Sequence, residues 1–324
     1  MEFDILLKKI KEYDYIAIFG HIRPDGDCYG SLNGLKDIIQ TTFPKKRVFC
    51  LTSHVEYLSF VGKMDDVDDE TLTRCLAIVC DTSTRERIAD QRYKLCKEII
   101  KVDHHIILDN YGNYNLVDED IAATSLLIAR FFFENENKLK ITSKGASALY
   151  TGIVTDTSNF RYRGVNYETF ALAGKLVEFG VDVDYIDKQL SAEPLRSVKL
   201  KAYIFKTMKV SKNGVLYAKI SNKLIKRFNI SSDEAASFVN LMANIKECPV
   251  WILFIGYPKE VRIRIRSKGP DINKLAEAFG GGGHQKAAGA NVKKWSTTKK
   301  IIKEADYLVK CYKEEIPYVS KTVK

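Results

Sequence analysis

The chain has 324 residues, of which 45% are hydrophobic, so it is long enough for two domains that each bury a core. Its seven cysteines show no Cys-x-x-Cys spacing, which argues against a disulfide framework and against a structural zinc site. No segment has the pattern of a signal peptide or a membrane span, so we expect a cytoplasmic protein that does not bind membranes.

Charge is divided unevenly along the chain. Residues 1–190 hold 24 Lys and Arg against 30 Asp and Glu, whereas residues 191–324 hold 27 against 11. Lysines on solvated helices would account for part of this excess. An acidic half followed by a basic half indicates that the first part collects cations and that the second attracts polyanions.

The first half alternates short apolar strands with helical segments. Strands are predicted at residues 15–20, 46–51, 75–81 and 97–103, and helices at residues 30–43, 122–136, 142–154 and 166–190. This order predicts an α/β domain whose mainly parallel sheet has helices on both faces. In such sheets ligands bind at the carboxyl ends of the strands.

A lysine-rich, mostly helical linker is predicted at residues 188–212, between a domain of residues 1–187 and a smaller α+β domain of residues 213–324. In the smaller domain residues 249–269 predict a hairpin whose second strand, VRIRIRS, has one apolar and one cationic face. The sequence AEAFGGGGHQKAAGA at 276–290 predicts a glycine loop between two helices, which would offer backbone N–H groups to an anion.

Four polar clusters follow predicted strands or core segments. They contain His21, Asp25 and Asp27; Asp81; Asp103, His104 and His105; and Asp156. A single aspartate at such a position is usually a helix cap or turn former, but together these residues suit two cations about 3.5–4 Å apart. Mixed imidazole and carboxylate ligands favour Mn²⁺, with Co²⁺, Fe²⁺, Zn²⁺ and Mg²⁺ as alternatives.

These four motifs and the sequence GGGGHQKAAGA occur in an order that resembles the DHH phosphoesterases with a C-terminal DHHA1 domain, over nearly the whole chain. The resemblance implies one metal ion on His21 and Asp25, a second on Asp27, His104 and Asp156, and Asp81 as the bridge. It assigns catalytic roles to Asp81, to His105 at the scissile phosphate, and to Asp103, which would orient the motif.

Further contacts to the substrate are expected from arginine, serine, histidine and glycine residues. In the first domain they are Arg23 and Arg87, and in the second they are Arg264 or Arg266 with Ser267, Gly281, Gly282, Gly283 and His284. The second group would grip a terminal nucleotide or the non-scissile phosphate across a cleft from the metals. The sequence does not decide which arginine faces this cleft.

The compact subgroup of this family acts on very short oligoribonucleotides (nanoRNA) and on 3′-phosphoadenosine 5′-phosphate (pAp). The resemblance of this chain to that subgroup implies the same reactions here. Short single-stranded RNA, pAp or dinucleotides would be the substrates, and a homodimer is expected. A stand-alone phosphodiesterase for linear or cyclic dinucleotides such as pApA is the alternative. A catalytically silent nucleotide-binding module is a further alternative, but all six expected ligand positions are filled by competent residues.

Overall fold

The structure is a computed structural model that describes residues 3–162 and 164–320. The chain divides between Ala192 and Glu193 into two compact units, called here unit 1 and unit 2. The segment predicted as a linker is largely helical, but its second helix, residues 195–207, packs into a core of unit 2 through Leu200 and Ile204. Among the described residues no helix combines the length and apolar character needed to cross a bilayer.

Unit 1 is built on a parallel sheet. Its five strands are β1 (Tyr15–Phe19), β2 (Arg47–Leu51), β3 (Leu76–Cys80), β4 (Glu98–Asp103) and β5 (Tyr114–Val117), in the spatial order β2-β1-β3-β4-β5. All four neighbouring pairs are parallel. The first four strands confirm the sequence prediction. The fifth was not predicted, because it has only four residues, of which only Leu116 is buried, and carries no long apolar run.

Helices cover both faces of this sheet. They are α1 (Asp4–Glu12), α2 (Gly26–Thr42), α3 (Asp69–Leu72), α4 (Thr124–Glu134), α5 (Ser143–Asp156), α6 (Tyr167–Val177) and α7 (Val183–Ser191). Strand residues alternate between the two cores, so that Ile16 and Ile18 join one cluster and Ala17 and Phe19 join the other. This double coverage confirms the predicted α/β class.

Helices α2 and α5 pack unusually closely. A Cβ atom at Gly30 would lie 2.5 Å from the carbonyl oxygen of Ala148 and 2.9 Å from the Cα atom of Gly152. A Cβ atom at Gly152 would lie 2.9 Å from Oδ1 of Asp27. Glycine at these positions therefore lets the first turn of α2, with Asp27, approach the last turns of α5, which ends at Asp156.

Unit 2 contains a mixed sheet of six strands. They are β6 (Lys209–Val210), β7 (Val215–Ile220), β8 (Val250–Gly256), β9 (Val261–Ser267), β10 (Gly282–Gly283) and β11 (Ala287–Val292), in the order β10-β11-β9-β8-β7-β6. Its helices are α8 (Leu195–Thr207), α9 (Asn222–Phe228), α10 (Ser232–Ser237), α11 (Asn273–Glu277) and α12 (Thr297–Lys313). Strands β8 and β9 form the predicted antiparallel hairpin.

The helix predicted after the glycine loop is wrong. Residues 287–292 form β11, which pairs with β9 along its whole length, from Ala287 opposite Arg266 to Val292 opposite Val261. The alanines of this segment favour a helix when considered alone, but pairing with β9 and burial of Ala288 and Ala290 outweigh that preference. The loop is thus followed by a strand, and the proposed helix N-terminus for a phosphate does not exist.

Candidate metal centre and substrate-binding residues

The polar clusters of unit 1 meet at one edge of the sheet. His21 follows β1, Asp81 follows β3, and His104 and His105 follow β4, whereas Asp156 is the last residue of α5. Because the carboxyl ends of parallel strands lie side by side, side chains far apart in sequence become neighbours here. The structure thus brings the four predicted motifs together at this edge of the sheet.

Asp81 lies at the centre of the cluster with its two carboxylate oxygens directed to different histidines. Oδ2 lies 3.4 Å from Nε2 of His21, and Oδ1 lies 3.5 Å from Nε2 of His104. The side chain is almost fully buried, and its backbone is left-handed, with φ of 55°. Aspartate tolerates this conformation better than most residues, so the turn after β3 can direct its carboxylate between the two imidazoles.

Each histidine has further carboxylates nearby. Nε2 of His21 lies 3.7 Å from Oδ1 of Asp25. Nε2 of His104 lies 3.3 Å from Oδ2 of Asp156 and 4.0 Å from Oδ2 of Asp27. The ligand atoms of Asp27, His104 and Asp156 all lie within 4.8 Å of one another, a spacing that suits a single cation.

The Nδ1 atoms of His21 and His104 lie near backbone carbonyl oxygens. Nδ1 of His21 lies 2.9 Å from the carbonyl oxygen of Ile22, and Nδ1 of His104 lies 3.3 Å from that of Ile121. These contacts favour the tautomer that carries its proton on Nδ1 and leaves Nε2 with a free lone pair. Each Nε2 is thereby available to bind a metal ion.

Acidic side chains are concentrated here without basic partners sufficient to neutralise them. Burial and the negative charges of Asp81 and Asp156 raise the pKa of Asp27 well above its usual value. Burial also raises the pKa of Asp156, to about 6, with Asp81 and Asp25 acting in the same direction. Burial acts to lower the pKa of His21, but Asp25 and Asp81 outweigh it and raise that pKa. Divalent cations would relieve this repulsion, and the donor set fits them.

His105 differs from the other two histidines because it is held by a carboxylate. Its Nδ1 lies 2.8 Å from Oδ1 of Asp103, while its side chain remains 44% exposed. The hydrogen bond to Asp103 raises the pKa of His105 against the opposing effect of burial. Asp103 itself is fully buried, as expected for a residue that orients the motif.

Arg23 and Arg87 lie close to each other at the edge of the cluster. The backbone N–H of Ile22, next to Arg23, donates a 2.7 Å hydrogen bond to the carbonyl oxygen of Arg87. Both arginine side chains are exposed, and within residues 3–162 and 164–320 neither forms an ion pair. They are available to an anion, and their contact with substrate stays a prediction.

In unit 2 the cationic face of β9 borders an open cavity with a volume of about 320 Å³. The register places Arg264 opposite Gly289 of β11, which in turn lies opposite Gly282 of β10. Since two successive strands present glycine in this row, neither Gly289 nor Gly282 contributes a side chain beside Arg264. Arg262, Asn291, Gly280 and Gly281 also line this surface, which we call the glycine cavity.

The other predicted contacts of unit 2 lie outside the glycine cavity lining. Nη1 of Arg266 donates to the carbonyl oxygen of Ile265. The Ser267 hydroxyl is buried, donates to the carbonyl oxygen of Pro270 at 2.6 Å and accepts from the N–H of Gly269, so it is occupied within a turn. His284 is exposed and begins the tight turn that joins β10 to β11. Gly283 lies opposite Ala288 in that short pairing.

Family models match both halves of the chain. The N-terminal domain model of the DHH family matches residues 15–153, and the DHHA1 domain model matches residues 212–310. A protein of Bacillus subtilis (strain 168) named "Bifunctional oligoribonuclease and PAP phosphatase NrnA" is 36% identical over 94% of this chain and 98% of its own length. The chain belongs to the DHH family.

Other relatives agree with this assignment. The Streptococcus mutans protein named "Probable bifunctional oligoribonuclease and PAP phosphatase NrnA" is 37% identical over 95% of this chain and 99% of its own length. A crystal structure of an exopolyphosphatase-related protein from Bacteroides fragilis superposes with a TM-score of 0.80 over 95% of this chain and 97% of that one, at 23% identity. The latter supports the fold alone. The resemblance to DHH phosphoesterases with a DHHA1 domain is confirmed.

Membership of the DHH family implies divalent metal ions, and the described residues of unit 1 include three groups that can hold one. One of these groups includes Cys28 beside His21 and Asp81. Burial raises the pKa of the Cys28 thiol to about 11, which disfavours the thiolate that a metal would need. Cys28 therefore agrees better with a buried apolar role than with a ligand role.

Sequence reasoning missed two residues, Thr124 and Ser125, that donate hydrogen bonds to carboxylates of the acidic cluster. The backbone N–H groups of Thr124 and Ser125 donate to Asp27 at 2.7 and 2.8 Å, and the Thr124 hydroxyl donates to Oδ1 of Asp81 at 3.1 Å. The segment AATS before an apolar run was a signal for a helix start. Nothing in the sequence linked that helix start to a carboxylate 97 residues earlier.

Proposed function

We propose that this DHH-family chain hydrolyses short oligoribonucleotides to mononucleotides and pAp to AMP, using two divalent metal ions. The names of its relatives support the substrates, since both describe an oligoribonuclease and PAP phosphatase. The observation that carries the proposal is the position of Asp81, with one carboxylate oxygen directed to His21 and the other to His104. Such a carboxylate suits two cations held close together.

The proposed ligand set consists of three carboxylates and two imidazoles around Asp81: His21, Asp25, Asp27, His104 and Asp156. When bound, the metal ions lower the pKa of a water molecule and offset negative charge on the phosphate. We assign Mn²⁺ as the preferred ion because imidazole and carboxylate ligands are mixed. Co²⁺, Fe²⁺ and Mg²⁺ are alternatives that a metal screen distinguishes.

The remaining residues of unit 1 bind and orient the substrate. His105 is held at Nδ1 by Asp103 and is partly exposed, and in its doubly protonated form, which its raised pKa favours, Nε2 can donate to a phosphate oxygen as charge develops on that oxygen. Arg23 and Arg87 add positive charge at the same edge of unit 1. No Ser or Cys nucleophile is required, since water attacks phosphorus directly and the leaving oxygen departs with a proton.

In unit 2 we propose that the glycine cavity binds an anionic or nucleotide part of the substrate. Arg264 is preferred over Arg266 as the phosphate contact, because Arg264 is exposed and lines the cavity, whereas Arg266 is partly buried, lies outside the lining and donates to the carbonyl oxygen of Ile265. Gly281 and Gly282 form part of the lining. Gly283 and His284 follow directly and are proposed contacts at its rim, while Ser267 would act by fixing the turn after β9.

A cytoplasmic location and a homodimer complete the proposal. All seven cysteines are free, six of them buried, which agrees with a reducing compartment. Size measurement by sedimentation velocity, at concentrations from micromolar downward, tests the dimer.

The decisive experiment is product analysis with Mn²⁺. The purified protein is incubated separately with a labelled RNA trinucleotide, a 24-mer of RNA, pAp, linear pApA and pyrophosphate. We expect turnover of the trinucleotide and pAp and slow turnover of the 24-mer. Asp81→Ala should be inactive, and Asp66→Ala, which changes an exposed aspartate of the same unit, should retain full activity.

Each other outcome identifies a different function. Preference for pApA over both expected substrates would support the dinucleotide phosphodiesterase. Release of phosphate from pyrophosphate alone would refute nucleotide chemistry. Binding of RNA without turnover, with every metal tested, would support the silent binding module.

A further inference from the structure

Lys101 lies in the interior of β4, and its side chain is fully buried. Lysine is among the residues least often buried, and when it is, the ammonium group is usually paired. Its strand neighbours Ile100 and Val102 join the core on one face of the sheet, and Ile99 packs against the core on the other face, so the sequence KVD places a charge in a strand with apolar residues on both faces. Neither the metal cluster nor the substrate contacts described above include it.

Three oxygen atoms from three separate segments surround the Lys101 ammonium group. Nζ donates to the carbonyl oxygen of Ser83 at 3.0 Å, after β3, and to that of Asp109 at 3.1 Å, in the loop after β4. It also lies 3.2 Å from Oδ2 of Asp103 at the end of its own strand. The centroid of the Tyr111 ring lies 5.1 Å from Nζ, within range of a cation–π contact. Lys101 is therefore held by two hydrogen bonds, and the carboxylate oxygen of Asp103 is the third oxygen beside its ammonium group.

The two oxygens of Asp103 have different partners. Oδ1 lies 2.8 Å from Nδ1 of His105 and accepts the backbone N–H of His104 at 3.0 Å. Oδ2 receives no aligned hydrogen bond within the described part of the chain, and the ammonium group of Lys101 is the positive charge facing it. Rotation of this carboxylate would separate Oδ2 from Lys101 and Oδ1 from His105 at the same time.

We propose that Lys101 is a positioning residue for His105. By holding Oδ2 of Asp103, it keeps Oδ1 directed at Nδ1 of His105, so that His105 retains its proton on Nδ1 and presents Nε2 to the substrate. The arrangement extends from the interior of β4, through a fully buried carboxylate, to an imidazole that is 44% exposed. The rival explanation is that Lys101 only ties the two loops together through Ser83 and Asp109.

The kinetics of a double-mutant cycle distinguish these two explanations. This kinetic test rests on the proposed function. Lys101→Met should lower kcat about 10- to 100-fold, the usual range for residues that orient a group at a metal centre, with KM changed by no more than about twofold. In an Asp103→Asn background the same substitution should lower kcat by less than about twofold further, because its effect passes through Asp103. Lys97→Met, an exposed lysine just before β4, should match wild type.

A spectroscopic measurement needs no activity and so stands if the proposed function fails. ¹⁵N spectra of histidine-labelled protein with Mg²⁺, which is diamagnetic, should show His105 protonated at Nδ1 in the wild type. Lys101→Gln keeps an amide that can donate to Ser83 and Asp109 but removes the charge, so it serves if Lys101→Met does not fold. It should shift His105 toward the other tautomer or broaden its signals.

Three results would overturn the proposal. They are an unchanged His105 tautomer in a folded Lys101→Gln variant, effects on kcat that multiply in the cycle, and a loss confined to stability with kcat preserved. Absence of turnover in the wild type would refute the proposed function, while the ¹⁵N spectra would still decide the role of Lys101.

Discussion

Asp27 caps helix α4, because its carboxylate accepts the backbone N–H of Thr124 at 2.7 Å. The neighbouring N–H of Ser125 is bound by the second oxygen at 2.8 Å. The residue in the usual capping position, Ala123, has no side chain that can accept a hydrogen bond. One carboxylate thus belongs both to the acidic cluster and to the start of a helix, which ties α2 to α4 at the candidate metal centre.

This dual role predicts that Asp27→Ala destabilises the fold even without metal. Two buried N–H groups would lose their acceptor, at a cost of roughly 1–3 kcal/mol in the free energy of unfolding. Urea denaturation in EDTA at pH 5 measures this cost, because Asp156, with a pKa of about 6, is then mostly protonated and repulsion within the cluster is small.

Asp182→Ala supplies the comparison for that measurement. Asp182 caps α7 by accepting the N–H of Tyr185 in an exposed position, and such a cap contributes about 1 kcal/mol. Asp27→Ala should be the more destabilising of the two. If Asp27→Ala is as stable as wild type at pH 5, or more stable, Asp27 does not cap α4.

The same contact marks the limit of what the sequence predicts. The β1, β3 and β4 strands and the clustering of His21, Asp81 and His104 at their carboxyl ends follow from apolar periodicity and from the geometry of parallel sheets. The contact of Asp27 with α4 does not, because it depends on how closely two helices pack. The sequence predicts a strand at Lys101 but not the burial of its side chain, because that burial depends on carbonyl oxygens of Ser83 and Asp109, which belong to two other segments.

In unit 2 the limit is of another kind. The hairpin of β8 and β9 was predicted because both strands carry strong apolar or alternating patterns. The segment after the glycine loop was predicted as a helix from its alanines, and only pairing with β9 makes it β11. Tertiary contacts decide structure where local preference is weak. The glycine cavity was therefore not predictable, and substrate contact by Arg264, Gly281 and Gly282, which line it, stays a prediction.

Ionisation of Asp156 should make the metal-free protein less stable as pH rises from about 4 to 6. Burial raises the folded-state pKa of Asp156 to about 6, so in this window the folded protein binds more protons than the unfolded chain, and raising the pH favours unfolding. One pKa unit corresponds to about 1.4 kcal/mol, so this carboxyl contributes on the order of 1–3 kcal/mol. Asp156→Asn should remove that part of the pH dependence.

Thermal unfolding in EDTA between pH 4 and 8 measures the effect, with Asp66→Asn as the exposed control. The difference in stability between Asp156→Asn and wild type should grow in favour of the variant as pH rises through 6. Added Mn²⁺ should reverse the sign, because the cation binds the ionised carboxylate. Parallel pH profiles for wild type and Asp156→Asn would refute a raised pKa at this position.

Metal stoichiometry should separate the two halves of the candidate centre. We expect two Mn²⁺ ions per wild-type chain, one in His21→Ala and one in His104→Ala, because each variant loses the imidazole of one side only. Asp81→Ala should weaken both sites, since its two oxygens face both histidines. Isothermal titration with Mn²⁺ checks these counts. Two tightly bound ions in Asp81→Ala would exclude it as the bridge.

The glycine cavity offers a test of substrate binding that leaves the metal centre untouched. A Cβ atom at Gly282 would meet no heavy atom within 4 Å, and Gly282 lines the cavity beside Arg264. Gly282→Val should therefore fold normally and narrow the cavity, raising KM for the RNA trinucleotide on the order of tenfold. Since unit 1 is unchanged, kcat should stay close to wild type. Arg264→Ala should raise KM in the same way, through loss of a charged contact.

Two other glycines are the controls for this measurement. At Gly281 a Cβ atom would lie 2.1 Å from the carbonyl oxygen of Gly289, so Gly281→Ala should lower the melting temperature. This loss of stability distinguishes a backbone clash from a side chain that only occupies the cavity. At Gly174, on α6 in unit 1, a Cβ atom meets nothing within 4 Å, and Gly174→Ala should leave KM unchanged. If Gly282→Val and Arg264→Ala both fold and both keep the wild-type KM, the substrate does not bind in the glycine cavity, and the contacts of unit 2 must be sought at the rim near His284.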